Sequence, residues 1–599
     1  MLQQPLMSLR QPASILALTT LLAACGGDSA TPDPLASYKT QNVAWSRCDP
    51  AIGGADLAAA IADMGDRLQC AFIRAPMDWR QPQRGDIRIA VMRQPSTAPL
   101  QRKGSLLTNP GGPGADGLGQ ALGLFFALHS SNPDDPQGAL QRQLIDTYDL
   151  VGFSPRGTGA STPLECTSPQ ALRWIDNSTS PEALSERSLD DTIANARTTA
   201  AACAANPLTP FINSDATARD MDLMRHLLGD EKLHYVGWSY GTWLGAWYAS
   251  LFPERVGRMV LDSSLDFATN LGENDPVQGR ALQQLQDHIL LPYAARHPAV
   301  FSLGNDPEAM RAMALGLPPR LQQALTSTTV PLAYARAATH ELLSTWLAAR
   351  ELHALLPQLP ERLAAQTPEQ AQAALAAADP VLEAHRFAPL AGPDAVARIQ
   401  ARKLLAHYYA AAPSAPTTVA PEKATYHAVR CNDSPVNTDL VLWKANLREL
   451  ARQAPLYYGD STPECAVWGG PNVTKPDAAP LKQLDLLMVQ SQHDFATAAP
   501  GALRFFATLP SAHMVYVPGD HQHGLFPYAS RYTGNQACVD QVVVNYLLGN
   551  SPMQRTTTCE AIPLALDALA TKSEGLQHSP YTDPEQAERL IARFKRGMR

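Results

Sequence analysis

Three residue types in a fixed order carry the chemistry in this sequence: a serine, then an aspartate, then a histidine. Ser239 is the centre of Gly237-Trp238-Ser239-Tyr240-Gly241, a G-x-S-x-G pentapeptide. The apolar run Leu233-His234-Tyr235-Val236 precedes it and reads as a short buried strand, and Trp243 to Leu251 follows with helical spacing. Strand, Gly-x-Ser-x-Gly, helix is the setting of a nucleophile elbow, where the serine is held on a strained turn. The next backbone N–H, that of Tyr240, then faces the oxygen of a bound carbonyl. The glycines let strand and helix approach without Cβ clashes. Alone the pentapeptide is a weak signal, so its weight comes from its partners.

A serine hydroxyl is a poor nucleophile until a base takes its proton, and the base needs an acid to orient it. Around such an elbow the partners follow in the order Ser, Asp or Glu, His. They belong in loops at the C-terminal ends of parallel strands, where open sheets bind ligands. The strand 484–489 runs into Gln490-Ser491-Gln492-His493-Asp494, which makes Asp494 the expected acid. The strand 513–517 runs into Pro518-Gly519-Asp520-His521-Gln522-His523-Gly524. His523, directly before a glycine, is the expected base, with His521 as its rival. Asp262, at the end of the strand after the elbow, is the rival acid. Aspartates at such turns also serve simply as caps. The oxyanion needs a second N–H donor beside Tyr240. The loop Asn109-Pro110-Gly111-Gly112-Pro113-Gly114 offers it from Gly111 or Gly112, since its prolines donate nothing. Gly112 is taken as the donor in the expected mechanism.

These side chains require a scaffold of alternating strands and helices. Gly85 to Met92 alternates with strand period, Ser105 to Thr108 and Tyr148 to Phe153 read as buried strands, and Asp215 to Leu228 as an amphipathic helix. Strand Met259 to Leu261 ends at Asp262, and a helix Ala537 to Leu548 follows the strand 513–517. The alternation implies a mostly parallel sheet covered on both faces. From about 267 to 425 strand signals give way to Ala/Leu/Gln/Arg-rich helical segments, including Val277 to Leu291, Pro307 to Leu315, Ala333 to Leu347 and Pro368 to Ala377. The expected layout is a core over residues 41–266, a helical cap over 267–425, the rest of the core over 426–570 and a charged tail over 571–599.

The net charge of −8 offers no basic field for nucleic acid. Residues 1–24 read as an export signal: Arg10 precedes a short apolar run, Ala13 to Leu22, too short to span a bilayer comfortably. It ends in Leu22-Ala23-Ala24-Cys25-Gly26, which resembles a bacterial lipobox with Cys25 as the lipidated first mature residue and residues 25–40 as a tether. The expectation is a cell-envelope lipoprotein, anchored to a membrane through Cys25. Eight further cysteines remain: Cys48, Cys70, Cys166, Cys203, Cys431, Cys465, Cys538 and Cys559. An even count in an exported chain suggests disulfides, and nearest-neighbour pairing is the simplest arrangement. No Cys/His spacing suggests a metal, and the chemistry calls for no cofactor.

The motifs together resemble secreted α/β-hydrolases of the tripeptidyl aminopeptidase and prolyl aminopeptidase type. The matching stretches are Asn109 to Gly114, Gly152 to Ser161, Ala218 to Asp222, Gly237 to Thr242 and Arg255 to Asp262, with Cys465 to Cys559 similar to that family's C-terminal domain. The resemblance implies an α/β-hydrolase fold, a peptide substrate, and release of residues or short peptides from a free N-terminus. The sequence departs from the family at Asp494-Phe495-Ala496-Thr497-Ala498, at Ser154 where an acid is common, and in a cap without cysteines. A cap carboxylate would hold the substrate ammonium group. Glu273, Asp275, Glu341 and Glu351 are candidates, as is Asp433 beside Cys431. Two other functions fit the same residues: an esterase or lactonase using the same triad, and a binding lipoprotein that keeps a hydrolase fold without catalysis. A monomer is expected.

Overall fold

The computed structural model describes residues 33–363, 366–387, 394–458, 463–527, 537–550 and 553–567. The signal segment, Cys25 and the tail from 571 lie outside the described residues. Ten strands form one sheet in the order β1-β2-β3-β5-β4-β7-β8-β10-β11-β12. They are β1 (Ser46–Arg47), β2 (Gln69–Pro76), β3 (Asp86–Gln94), β4 (Gly104–Asn109), β5 (Tyr148–Phe153), β7 (Leu233–Trp238), β8 (Val256–Asp262), β10 (Leu486–Ser491), β11 (His513–Val517) and β12 (Thr556–Thr558). Two short strands, β6 (Cys166–Ser168) and β9 (Thr417–Val419), pair separately and antiparallel. Strands β1, β2, β3 and β5 pair antiparallel in sequence, and every pairing from β5 to β12 is parallel.

Every residue of β4, β5 and β10 is buried, as a parallel strand covered on both faces must be. Successive side chains point to opposite faces, and the two cores divide accordingly. Leu107, Val151, Tyr235, Leu261 and Met488 enter one core, together with Trp243, Leu244 and Trp247 of the helix Tyr240–Leu251. Their neighbours Leu106, Leu150, Val236, Val260 and Leu487 enter the other, under the helices Gln120–His129 and Ala537–Leu548. The helix Ser214–Leu227 starts where Asn213 accepts the Ala216 N–H at 2.8 Å, an ordinary N-cap. Behind it Arg156 and Asp220 are wholly enclosed and paired through two bonds of 2.7 Å.

Between β8 and β10 the elements described from Asp275 to Tyr408 are all helices, with a third core of their own around Trp346, Leu347 and Leu404. The helix Leu440–Gln453, past residue 425, adds Leu447 and Leu450 to that core. The expected helix Ala333 to Leu347 is two elements. The helix Pro319–Ala333 stops, Ala335 is extended, a 3₁₀ turn covers Arg336–Ala338, and a new helix runs Thr339–Leu355. The break has a partner on the core: the Tyr334 carbonyl accepts the His523 N–H at 3.2 Å, and the Arg336 N–H donates to Gln522 Oε1 at 3.0 Å. Four disulfides join nearest neighbours: Cys48–Cys70, Cys166–Cys203, Cys431–Cys465 and Cys538–Cys559. No helix among the described residues is long and apolar enough to cross a membrane.

Candidate active site

Strand β7 delivers Ser239 into a turn that few side chains tolerate. Its φ is 56° and ψ is −127°, outside the regions open to most L-residues, and the helix begins at the next residue. The strain is held from several sides. The Ser239 N–H donates to the Asp262 carbonyl at 3.1 Å, Thr242 Oγ1 donates to the Ser239 carbonyl at 2.6 Å, and the Tyr235 hydroxyl donates to the Gly241 carbonyl at 2.8 Å. Gly237 has to be glycine, because a Cβ there would stand 2.5 Å from the Gly241 carbonyl oxygen.

The loop after β4 lies against this turn. A Cβ on Gly111 would sit 2.5 Å from the Trp238 carbonyl and 2.9 Å from both Ser239 Cβ and the Tyr240 nitrogen, and Gly111 also has φ 101°. The Gly111 N–H is committed to Asn109 Oδ1 at 3.0 Å. Of the two glycines expected to supply an oxyanion donor, Gly112 is therefore the one whose N–H that bond leaves available.

The loops after β10 and β11 meet beside the elbow. Asp494 is fully enclosed and accepts four bonds: from the Ala496 N–H at 2.9 Å, the Thr497 N–H at 3.0 Å, the Thr497 hydroxyl at 2.9 Å, and His523 Nδ1 at 2.9 Å. Both carboxylate oxygens lie within 3.0 Å of that ring nitrogen. The His523 ring is 11% exposed and stands edge-on to Tyr334. Burial pulls its pKa down, but the attraction and hydrogen bond of Asp494, with a further attraction to Asp262, outweigh that and raise it. With Nδ1 turned to a carboxylate, Nε2 is the nitrogen left for a proton from elsewhere.

The rivals occupy different places. His521 is buried, with Nε2 3.5 Å from Thr339 Oγ1, and borders a cavity of about 260 Å³ together with Arg336, His288 and Ile562. Burial drives its pKa down to about 4. Asp262 makes its shortest hydrogen bonds to backbone and not to the His523 ring; its oxygens accept the Leu525 N–H (2.9 and 3.1 Å) and the Phe526 N–H (2.7 Å).

Of the candidate amine-binding carboxylates, Glu341 and Glu351 are engaged in ion pairs within the helical region. Glu341 pairs with Lys403 at 2.9 Å and accepts from Gln400, and Glu351 pairs with Arg350 and His385. Glu273 is exposed and accepts from Asn270. Asp275 opens the helix Asp275–Leu285, and its side chain lies outside the described residues. Asp433 is buried and accepts the Ser214 N–H at 2.8 Å and the Ser214 hydroxyl, which in turn meets the Tyr240 hydroxyl. Residues the sequence did not single out are Ser263, Tyr334 and Arg336, all in contact with the His523 loop. A φ of 59° at Ser263 is visible only in the structure.

Residues 105–529 match the family described as having the alpha/beta hydrolase fold. The chain belongs to the α/β-hydrolase family. This α/β-hydrolase is 28% identical over 511 residues to a tripeptidyl aminopeptidase of Streptomyces lividans, covering 82% of this chain and 83% of that one. It is 28% identical over 514 residues to a carboxylesterase B of Mycobacterium tuberculosis, covering 83% and 88%. It is also 32% identical over 248 residues to the serine protease Hip1 of the same species, covering 40% and 43%. In this family a serine on a strained strand–helix turn, a histidine beside it and a carboxylate on that histidine's far nitrogen form an arrangement able to transfer acyl groups.

Proposed function

We propose that the protein is a serine peptidase that cleaves residues or short peptides from a free N-terminus through an acyl-enzyme. The observation that carries this is the contact of His523 Nδ1 with both oxygens of Asp494, beside the strained Ser239 turn. Ser239 Oγ attacks the scissile carbonyl while His523 Nε2 takes its proton. The N–H groups of Tyr240 and Gly112 receive the developing oxyanion. His523 then gives the proton to the departing amine, and water, activated by the same histidine, releases the acyl group. Asp494 holds the ring in the tautomer that leaves Nε2 as acceptor and stabilises the imidazolium. The exopeptidase reading draws on the similarity to a tripeptidyl aminopeptidase over 82% of the chain. Peptide release is read as occurring outside the cytoplasm, with Cys25 as a lipid anchor. Four disulfides support an oxidising location.

The test is a panel of N-terminally free peptides, the same peptides blocked at the N-terminus, and simple esters, assayed with the wild type and Ser239→Ala. Cleavage of free peptides alone supports the proposal. Cleavage of blocked peptides but not free ones would overturn the exopeptidase reading, and cleavage of esters alone would favour an esterase, the reading supported by the equally extensive similarity to a carboxylesterase. Folded protein whose Ser239 ignores a fluorophosphonate probe would leave only a binding role.

A further inference from the structure

Strand β8 ends in Asp262, and this residue and the next, Ser263, bond to the nucleophile turn, the histidine loop and the strand that leads to the acid. The Asp262 carbonyl accepts the Ser239 N–H at 3.1 Å. The Asp262 carboxylate accepts the N–H groups of Leu525 and Phe526, immediately after His523. Ser263 Oγ accepts the Gly524 N–H at 2.8 Å, and the Ser263 N–H donates to the Val489 carbonyl, on the strand that leads to Asp494. Three consecutive N–H groups of the histidine loop are therefore held by one dipeptide. Ser263 is in the left-handed region to reach its partner, a conformation that a non-glycine residue keeps only when its surroundings demand it. Both residues are fully buried, so water cannot replace these bonds.

We propose that Asp262 and Ser263 are positioning residues for His523: they tie the histidine loop to the nucleophile turn and to the acid strand, so that the three side chains keep one register. The inference rests on the reading of Ser239, Asp494 and His523 as a triad. Asp262 also acts through its charge. The titratable groups facing it are His523, whose protonated form it attracts, and Asp494, which it repels. Burial pushes the Asp262 carboxyl up to about 7, against the pull of the Leu525 and Phe526 N–H groups. An asparagine there keeps an oxygen for the Leu525 and Phe526 N–H groups but loses the charge that strengthens both bonds, which loosens the loop and removes one of the influences that raise the His523 pKa.

The experiment compares Asp262→Asn, Ser263→Ala and Ser239→Ala with the wild type. It measures kcat, KM, the rate of fluorophosphonate labelling, the pH profile of kcat/KM, and the fraction of folded protein. A displaced base lowers kcat without changing substrate binding, and a shift of about 1 Å costs on the order of 10²-fold. Asp262→Asn is expected to lose about that much in kcat, with KM unchanged, labelling slowed in parallel, and the acidic limb moved to lower pH. Ser263→Ala is expected to fall in the same direction by less. A purely structural role would reduce the folded fraction and leave the kcat of the folded enzyme and its pH limb unmoved, and that result would overturn the inference. If Asp262→Asn does not fold, Ser263→Ala decides: wild-type kcat in that variant overturns the inference. Retained activity in Ser239→Ala would sink the triad reading and this inference with it. Loss there, with full activity in both positioning variants, sinks this inference alone.

Discussion

Replacing Asp494 by asparagine tests the site at the level of a single proton. In the wild type one carboxylate oxygen accepts the Ala496 and Thr497 N–H groups, at 2.9 and 3.0 Å, the other accepts the Thr497 hydroxyl at 2.9 Å, and His523 Nδ1 lies between them, 3.0 Å from the first and 2.9 Å from the second. The two backbone N–H groups cannot face an amide NH₂, so the asparagine oxygen must take the first position. Its NH₂ then falls at the second, against His523. The Thr497 hydroxyl can rotate to accept, but the imidazole must also accept, through Nδ1. Its proton is forced onto Nε2, and the nitrogen that should receive the serine proton becomes a donor. Shape and backbone bonding are kept, so the variant should fold. The same change of tautomer in serine proteases costs about 10⁴ in kcat, equivalent to about 5.4 kcal/mol of transition-state stabilisation. The assay is turnover of an N-terminally free chromogenic peptide, with fluorophosphonate labelling as a substrate-independent measure of Ser239 reactivity. Both should fall together, while thermal unfolding stays close to wild type. A fall smaller than about 10²-fold, the low end for general acid–base catalysis, would refute the tautomer argument.

The base works in its neutral form and its pKa is raised, so activity should fall as pH drops through a value above the ordinary 6.5; a kcat/KM limb below 6.5 would contradict the geometry. The same shift has a defined sign for stability: the contribution of His523 is complete below 6.5 and is lost as pH rises through its folded-state value, visible as a declining unfolding midpoint. Gly111→Ala places a Cβ 2.5 Å from the Trp238 carbonyl at a φ of 101°, so the oxyanion loop must withdraw from Ser239. Activity should be lost with a stability cost of about 1–3 kcal/mol, the usual range for overpacking, separable by comparing labelling with thermal unfolding. Asp220→Ala strands the enclosed Arg156 guanidinium, which keeps only backbone carbonyls of Pro76, Met77 and Phe211. Removing one partner of a buried pair costs about 3–5 kcal/mol, to be read from chemical denaturation.

The strands that carry the site were legible because they are local and fully buried. Tyr148–Phe153 and His513–Val517 have the bounds their apolar runs suggest, and β10 starts two residues later than expected, at Leu486. The order Ser239, Asp494, His523 was legible for the same reason, since each follows such a run. The antiparallel strand β2, second from the sheet's edge, was not, because Gln69–Pro76 alternates only partly. The break at Tyr334 was hidden inside a helical pattern, for its cause lies on a loop nearly two hundred residues away in sequence. In sequence the cap carboxylates show only charge in an apolar context. The structure satisfies Glu341 with Lys403, 62 positions on, a pairing that no local spacing reveals. The tie from Asp262 to Leu525 and Phe526 is equally silent in sequence, since its donors are backbone groups and any residue but proline could supply them.

The turn at 334–336 gives the cap a second office. Its carbonyl and N–H groups hold the peptide of the histidine and the side chain next to it, and the Arg336 guanidinium reaches Asp520 at 3.3 Å and the Ile562 carbonyl. Cap and base are therefore mechanically coupled. A cap transplanted from a relative without this turn would arrive with new selectivity and a slackened proton acceptor, and variants selected for new substrates through changes at Tyr334 would be screened for turnover at the same time. Recombination experiments in this fold should place their crossovers outside 334–336.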